Sequence, residues 1–148
     1  MRITQEADYA LRIMSLLETN KKILDAGSIA SKTSVSPRFT LKILRKLSQG
    51  GLVRSQKGAT GGYIICENAG KTTLREVIEL IDGPLAVSKC VDGDCGCSLV
   101  GENKSDCVIH HIFQTVSSEI AAKLDRVTIE EISDPGVSIV ELMKKIRQ

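Results

Sequence analysis

The sequence lacks the features that mark several broad classes of protein. No apolar run in its 148 residues approaches the ~20 residues that a membrane-spanning helix needs. Its opening residues do not combine a positive start with an apolar stretch, so no signal peptide is predicted. It shows no internal repeat, no substrate-binding motif and no nucleophile–base arrangement. We therefore expect a cytoplasmic protein that makes no use of a membrane and is not an enzyme.

Acidic residues are missing from a central stretch of the chain. No Asp or Glu lies between Ala26 and Cys66. The basic residues of that stretch are Lys32, Arg38, Lys42, Arg45, Lys46, Arg54 and Lys57. Residues 1–65 hold 11 Lys and Arg and 4 Asp and Glu, a net charge of +7, whereas residues 66–148 hold 9 and 14, a net charge of −5. A basic block without compensating acid favours nucleic-acid binding over an ordinary solvated helix face.

Three helices are predicted near the start of the chain. Apolar residues at helical spacing follow Thr4, which is expected to be the N-cap of a helix that ends near Asn20. A short second helix is expected around residues 27–32. Ser36 is predicted to cap a third helix that has Pro37 at its first position, where a missing N–H costs nothing. The residues expected to point inward from this third helix are Leu41, Leu44 and Leu47.

A glycine-rich β-hairpin is predicted after the third helix. Two β-like runs, residues 52–55 and 63–66, flank a tip that reads QKGATGG. Helix, short helix, turn, helix and hairpin is the order of a winged helix-turn-helix. The fold class is therefore predicted to be mainly α with a small β-hairpin wing, with residues 1–66 as the DNA-binding domain.

The rest of the chain is predicted to be helical around a cysteine-bearing loop. Residues 67–87 are expected to form a linking helix and strand, and the helix opens at a T-x-x-E capping box, Thr73 to Glu76. Residues 88–107 form the loop. Residues 108–148 are expected to hold a long amphipathic dimerisation helix, to about residue 126, and a short closing helix.

The third helix and the wing are the predicted DNA-reading elements. A helix fits the major groove, and its N-terminal side chains meet the base edges. Arg38 can reach a guanine or a phosphate, and Phe39 is expected either to contact a thymine methyl group or to pack into the core. Lys57 at the wing tip can reach the minor groove or a phosphate. The full set of predicted DNA-binding residues is Arg2, Ser36, Arg38, Phe39, Lys42, Lys57, Thr60 and Gly61.

Four of the five cysteines and both histidines lie within the 22 residues from Cys90 to His111. Thiolates and imidazoles together select zinc, copper(I) or an iron–sulfur cluster. The spacing matches neither the paired C-x2-C of common zinc sites nor the close run of bacterial ferredoxins. The fifth cysteine, Cys66, is interpreted as a small buried hydrophobe in a strand. The loop is therefore predicted to bind a metal centre.

Several motifs resemble the IscR, NsrR and RirA family of iron–sulfur winged-helix transcription regulators. They are the opening MRITQEADYALR, the wing segment KGATGGY, the helix over residues 73–82 and the cysteines before a long helix. The resemblance covers roughly residues 1–132. It implies a homodimer held by the long helix, a pseudo-palindromic DNA operator, and a 2Fe–2S or 4Fe–4S cluster in each subunit.

The resemblance also implies a ligand set of three cysteines and a variable fourth group. Cys90 and Cys107 correspond to the first and third cysteines, and Cys97 is preferred to Cys95 as the second because its distance from Cys90 is nearer the family's gap. The candidates for the fourth ligand are Cys95, His110 and Asp8 of the partner subunit.

The predicted function is a homodimeric, DNA-binding transcription regulator, expected to act as a repressor. Its cluster is expected to sense iron–sulfur status, redox state or nitric oxide. The alternative is a zinc- or thiol-disulfide-based winged-helix regulator without an iron–sulfur cluster. A small electron carrier or metalloenzyme is disfavoured, because such a protein does not need a basic reading head.

Overall fold

Helices precede and follow a two-stranded hairpin along the chain in the computed structural model, which describes residues 3–93 and 107–148. The elements up to the hairpin are α1 (Gln5–Asn20), α2 (Ala26–Thr33), α3 (Pro37–Gln49), β1 (Val53–Gln56) and β2 (Gly62–Ile65). The later elements are a 3-10 helix (Ala69–Lys71), α4 (Leu74–Asp82), α5 (Val108–Leu124), α6 (Ile129–Ser133) and α7 (Ile139–Arg147). The predicted winged helix-turn-helix with a long following helix is confirmed.

The starts of α1 and α3 follow the predicted capping chemistry. The Thr4 hydroxyl accepts a hydrogen bond from the Ala7 N–H at 3.2 Å. The Ser36 hydroxyl accepts one from the Phe39 N–H at 3.4 Å, and Pro37 occupies the first position of α3. Each bond satisfies one backbone donor that a helix start leaves without a partner.

Helix α1 is the centre of the hydrophobic core. Its fully buried side chains are Ala7, Ala10, Ile13, Met14 and Leu17. The same core includes Leu44 of α3, Ile78 of α4 and Ile129 of α6. Burying an aliphatic side chain of this size stabilises a fold by about 1.5–3 kcal/mol. The winged helix therefore shares its core with helices that lie beyond residue 66, and the division of the chain at that residue stays a prediction.

The buried stripe of α3 differs from the predicted one. Ile43, Leu44 and Leu47 are fully buried, but Leu41 is 50% exposed, so its predicted inward position is wrong. Thr40 takes the expected place of Leu41 in the core, since the hydroxyl of this buried threonine donates to the Ser36 carbonyl oxygen at 3.1 Å. A satisfied hydroxyl costs little to bury.

The wing is attached to the connection between α1 and α2. Strands β1 and β2 pair antiparallel from Val53 with Ile65 to Gln56 with Gly62. Leu24 adds two bonds to this hairpin: its N–H donates to the Tyr63 carbonyl at 3.0 Å, and the Tyr63 N–H donates back at 2.8 Å. This bridge holds the wing at a set position relative to the helices.

The linking segment, residues 67–87, contains the 3-10 helix and α4. Its capping box is confirmed, since the Thr73 N–H donates to Glu76 at 2.7 Å and the Glu76 N–H donates to the Thr73 hydroxyl at 3.2 Å. The structure describes this segment completely and places no strand in it beyond an isolated bridge between Thr73 and Thr128. Thr128 opens α6 with a second capping box, a T-x-x-E signal that the sequence interpretation overlooked.

Helix α5 buries little of its surface. Only Ser117 and Ala121 are buried, and the Ser117 hydroxyl accepts a hydrogen bond from the Val87 N–H at 3.0 Å. Its large exposed apolar side chains are Val108, Ile109, Ile112, Phe113 and Val116. Neither α5 nor any other helix in the described ranges is long and apolar enough to cross a bilayer.

Candidate DNA interface and cysteine segment

Helix α3 presents a basic face to solvent. Arg38, Leu41, Lys42 and Arg45 are all exposed, and their spacing of three, one and three residues places them on one side of the helix. We call these four residues the α3 outer face. Of the four, only Arg45 and Leu41 were absent from the predicted DNA-binding set. Arg45 could have been found from the unbroken basic block, whereas the position of Leu41 depends on Thr40 filling the core.

Two arginines of the α3 outer face have no ion pair within the described part of the chain. These are Arg38 and Arg45, and Lys57 at the wing tip shares this property. A long cation with no acidic neighbour is available to an external anion. The three positive charges therefore point to a polyanionic partner on this side of the molecule.

Unlike the two arginines, Lys42 is in an ion pair with an acidic residue. Its Nζ lies 2.7 Å from Glu6 Oε2, while Lys46 Nζ lies 2.8 Å from Glu6 Oε1. Burial alone raises the pKa of Glu6, but the hydrogen bonds and charges of the two lysines outweigh burial and hold that pKa below its ordinary value. Glu6 thus joins the start of α1 to α3 and was not identified from the sequence.

Phe39 lies on the surface, 42% exposed. Its ring meets the Tyr9 ring edge-on with centroids 6.3 Å apart, and Lys42 Nζ lies 5.7 Å from the Phe39 centroid. The core position considered for Phe39 is therefore wrong. Its ring covers the Tyr9 ring at the side of α3 that faces α1.

The wing tip exposes Lys57 and Thr60, and Gly61 allows its tight turn. The Gly61 N–H donates to the Gly58 carbonyl at 3.0 Å, and a Cβ atom at Gly61 would lie 2.5 Å from the Gln56 carbonyl oxygen. Gly58 has a φ of +116°, which L side chains rarely adopt. Arg2, the remaining basic residue of the predicted DNA-binding set, lies outside the described residues.

A groove of about 480 Å³ joins α3 to the wing. Its lining residues are Leu41, Arg45, Ser48, Gln49, Ser55 and Tyr63. The helix contributes the first four and the hairpin the last two. Helix α3 and the wing therefore form one continuous surface. A protein that binds one DNA duplex with both elements requires such a surface.

Cys90 and Cys107 are the two described cysteines of residues 88–107, which we call the cysteine segment. Both are half-buried free thiols, and the Cys90 thiol donates to the Ser88 hydroxyl at 3.3 Å. Cys107 is the N-cap residue of α5, and its side chain makes no capping bond. Cys95 and Cys97 lie outside the described residues, so the choice between them stays a prediction.

The described residues do not gather three metal-ligating side chains in one place. His110 is half-buried at the start of α5, with its ring centroid 6.0 Å from that of His111. Asp8 is in an ion pair with Arg12 at 2.7 Å. Two thiols and an imidazole are donors that iron and zinc accept, so the chemistry of the segment fits such a centre. A complete ligand set needs residues beyond those that the structure describes.

Cys66 lies just beyond the end of β2 rather than inside a strand. It is a half-buried free thiol that packs against the hydrophobic core, and its N–H donates to the Leu52 carbonyl at 2.9 Å. Core packing is enough to explain this residue, and no metal-ligating role is assigned to it.

The C-terminal end of α4, which precedes the cysteine segment, contacts both α1 and α3. Asp82, the last residue of α4, accepts hydrogen bonds from the Thr4 N–H at 3.0 Å and from the Thr4 hydroxyl. Lys46 of α3 donates to the Ile81 carbonyl oxygen at 3.2 Å. The chain that leaves α4 towards Cys90 therefore starts from a point in contact with both α1 and α3.

Comparison with known proteins places this geometry among transcription regulators. A sequence profile of the Rrf2 family, described as an iron-dependent transcriptional regulator, matches residues 3–135. The HTH-type transcriptional regulator IscR of Cronobacter sakazakii is 27% identical over 134 residues, which are 89% of this chain and 80% of that protein. IscR of Klebsiella pneumoniae has the same identity over 89% of this chain and 79% of its own length.

Solved structures share the fold. CymR of Bacillus subtilis, described as a global cysteine regulator, matches with a TM-score of 0.70 and 21% identity over 90% of this chain and 96% of that one. IscR of T. potens matches with a TM-score of 0.65 and 20% identity over 97% of this chain and 87% of that one. These relatives are regulators rather than enzymes, in agreement with the prediction from the sequence.

Proposed function

The chain belongs to the Rrf2 family of transcriptional regulators, and on that premise we propose that it is a homodimeric repressor that reads a pseudo-palindromic operator and senses a signal through its cysteine segment. The observation that carries the DNA-binding part is the α3 outer face. Its arginines and the wing-tip Lys57 are exposed cations without ion pairs in the described ranges. A cytoplasmic location stays a prediction.

The proposed DNA contacts follow from the positions of the two reading elements. Helix α3 enters the major groove with Ser36 and Arg38 at its N-terminal end. Lys57, Thr60 and Gly61 of the wing approach the minor groove or the phosphates, where the close turn at Gly61 lets the backbone come near the duplex. Lys42 reaches a phosphate only by sharing or leaving Glu6, since the two side chains are paired at 2.7 Å.

The proposed homodimer is formed through α5. Five large apolar side chains are exposed on this helix, a patch of the kind that marks protein–protein contact. A two-fold dimer repeats one surface on both subunits, so its two α3 helices meet half-sites about 34–36 Å apart or a multiple of that distance. The expected palindromic operator follows from this symmetry.

The proposed sensor is a 2Fe–2S or 4Fe–4S cluster held by Cys90, Cys97 and Cys107. The fourth ligand is one of Cys95, His110 and Asp8 of the partner subunit. Such a cluster, when bound, supplies a centre that oxidants or nitric oxide alter. Two described residues bear on this ligand set: Cys107 leaves its thiol free of capping bonds, and Asp8 must give up or share Arg12 to ligate.

A thiol-based regulator is the second candidate function. The observation that favours it is the likeness in fold to the cysteine regulator CymR of Bacillus subtilis. In that case the cysteines of residues 88–107 would bind zinc or form a disulfide upon oxidation, and the same winged helix would read DNA.

DNA binding is tested by selecting duplexes from a random library and measuring affinity by fluorescence anisotropy across a range of salt concentrations. We expect an enriched palindromic site. Replacing Arg38 or Lys57 with Ala should weaken binding and lower the salt slope by about one for each phosphate that the variant no longer neutralises. The control is Lys144→Ala on α7, which should leave the slope unchanged. Unchanged slopes for Arg38→Ala and Lys57→Ala would refute the proposed DNA face.

The sensor is tested by purifying the protein without oxygen and recording its visible absorption, iron and acid-labile sulfide. Two or four irons and sulfides per subunit, absent from the Cys90→Ala and Cys107→Ala variants, support the cluster and identify its type. A colourless protein that binds neither element after reconstitution would favour the zinc or thiol alternative. Cys66→Ala is the matched control and should retain the cluster.

A further inference from the structure

Leu41 is an apolar side chain in the middle of a charged surface. It is 50% exposed, and its neighbours on the α3 outer face are Arg38, Lys42 and Arg45. The side chain also lines the groove between α3 and the wing, with Ser55 and Tyr63 on the opposite wall. Half of its surface therefore meets water in the free protein.

The charges around Leu41 decide which partner can cover it. Arg38 and Arg45 stand three residues before it and four residues after it, and neither has an ion pair in the described ranges. A protein partner with an apolar surface would have to bury these cations without compensation, which is costly. A DNA duplex provides phosphates for the cations and bases for the side chain between them.

The major groove offers one apolar group, the C5-methyl of thymine. The other groups on its base edges are hydrogen-bond donors and acceptors, which Leu41 cannot satisfy. A leucine pressed against those groups would remove water from them without replacing the hydrogen bonds that the water made. Leu41 therefore favours binding when it lies opposite thymine and opposes binding when it lies opposite cytosine.

We infer that Leu41 is a specificity-determining residue that selects thymine in each half-site of the operator by contact with its methyl group. This inference rests on the proposed DNA-binding function. Phe39 is the other exposed large apolar residue of α3, but its ring is already packed against Tyr9 and lies under Lys42. Leu41 is the residue whose apolar surface is still uncovered.

The test uses a duplex selected by the wild-type protein from a random library. Each thymine of the selected half-site is replaced in turn by deoxyuridine, which differs only by the missing methyl group. We expect one or two positions at which affinity falls about fourfold per half-site, the factor that corresponds to burying one methyl-sized group. Deoxyuridine at the other positions should bind like thymine.

Variants of Leu41 test whether this residue causes the loss of affinity for deoxyuridine. With Leu41→Ala, thymine and deoxyuridine duplexes should bind equally at the sensitive position, whereas Leu41→Met, which restores an apolar contact, should recover the preference. Lys57→Ala is the matched control, since removing a phosphate-binding cation should weaken binding to both duplexes by the same factor. Leu41 is exposed on a helix, so its replacement by Ala is not expected to impair folding.

Two negative outcomes are distinguishable. If no sequence is enriched from the library and Arg38→Ala leaves binding unchanged, the proposed DNA-binding function fails. If a site is enriched but deoxyuridine reduces affinity at no position, or the reduction persists in Leu41→Ala, the assignment of Leu41 is wrong while DNA binding stands. Enrichment of cytosine or guanine opposite Leu41 would also overturn it.

Discussion

Single side chains help to hold α3 against the rest of the fold, and Glu6 is one of them. Its carboxylate, 16% exposed, forms ion pairs with Lys42 and Lys46 across the contact between α1 and α3. Partly buried ion pairs with two partners resist salt better than exposed pairs do. The start of α1 and the outer face of α3 therefore move together.

Replacing Glu6 with Gln should destabilise the fold by about 1 kcal/mol at pH 7. The pKa of Glu6 is lowered in the folded state, so its contribution is complete above the unfolded-state pKa of about 4.3 and is lost as the pH falls through the lower folded-state pKa. Urea unfolding from pH 7 down to pH ~3 should show the difference between wild type and variant narrowing on acidification. A difference independent of pH would contradict the ion-pair account. Glu67→Gln, at an exposed acid without an ion pair among the described residues, is the control.

Gly62 determines how closely the wing approaches the helices. A Cβ atom there would lie 2.4 Å from the Leu24 carbonyl oxygen, which is backbone and cannot rotate away. We expect Gly62→Ala to cost about 2 kcal/mol of folding free energy, as overpacking does. Thr60→Ala at the exposed tip should cost less than about 0.5 kcal/mol. Equal stabilities of the two variants in thermal unfolding would show that the bridge to Leu24 is not needed.

At the scale of elements, helix α5 has an apolar surface that the described residues leave largely exposed. Its exposed apolar stripe consists of Val108, Ile109, Ile112, Phe113 and Val116, and the described residues of the helix that are buried are Ser117 and Ala121. Ile112, in the middle of the stripe, is 54% exposed. The sequence pattern of an amphipathic helix does not distinguish burial within a chain from burial against a second copy.

Ile112→Lys should convert the proposed dimer into a monomer. A two-fold interface repeats the change, so the dissociation constant should rise about a hundredfold or more. Analytical ultracentrifugation across a concentration series measures this shift. Ser118→Lys is the control, since Ser118 lies nine residues, or two and a half turns, from Ile109 and therefore opposite the stripe. A wild-type monomer would refute the homodimer, and a dimeric Ile112→Lys variant would place the interface elsewhere.

At the scale of the whole molecule, one short segment links the proposed sensor to the proposed reader. The end of α4 contacts α1 through Asp82 and Thr4, and it contacts α3 through the Ile81 carbonyl and Lys46. We therefore expect a change in residues 88–107 to reach α3 through these contacts.

Asp82→Ala should weaken this coupling. The wild-type protein is expected to bind its selected duplex with different affinities in the cluster-loaded and cluster-free forms, and the variant should reduce that ratio towards one. Anisotropy titrations of both forms give the ratio. Glu67→Ala, at an exposed acid before α4, should preserve the ratio, and a full ratio in Asp82→Ala would exclude this contact as the route.

Local signals in the sequence determined the elements and their order. Thr4, Ser36 and the box at Thr73 act within a few residues of their own helices, so their hydrogen bonds can be predicted without knowing the fold. The basic block likewise indicates an anionic partner, because the stretch itself contains no acidic residue. Gly58 and Gly61 follow from turn geometry of the same local kind, whereas Gly62 is required by the distant Leu24 carbonyl.

Only the tertiary structure decided which faces are buried and which charges are left unpaired. Leu41 was expected inside because it is apolar, but Thr40 fits the core once its hydroxyl finds the Ser36 carbonyl, and Leu41 is turned to solvent. Lys42 lies in the same basic block as Arg38, yet it is neutralised by Glu6, 36 positions away in the sequence. Burial and ion pairing depend on residues distant in sequence, which the periodicity of one helix does not contain.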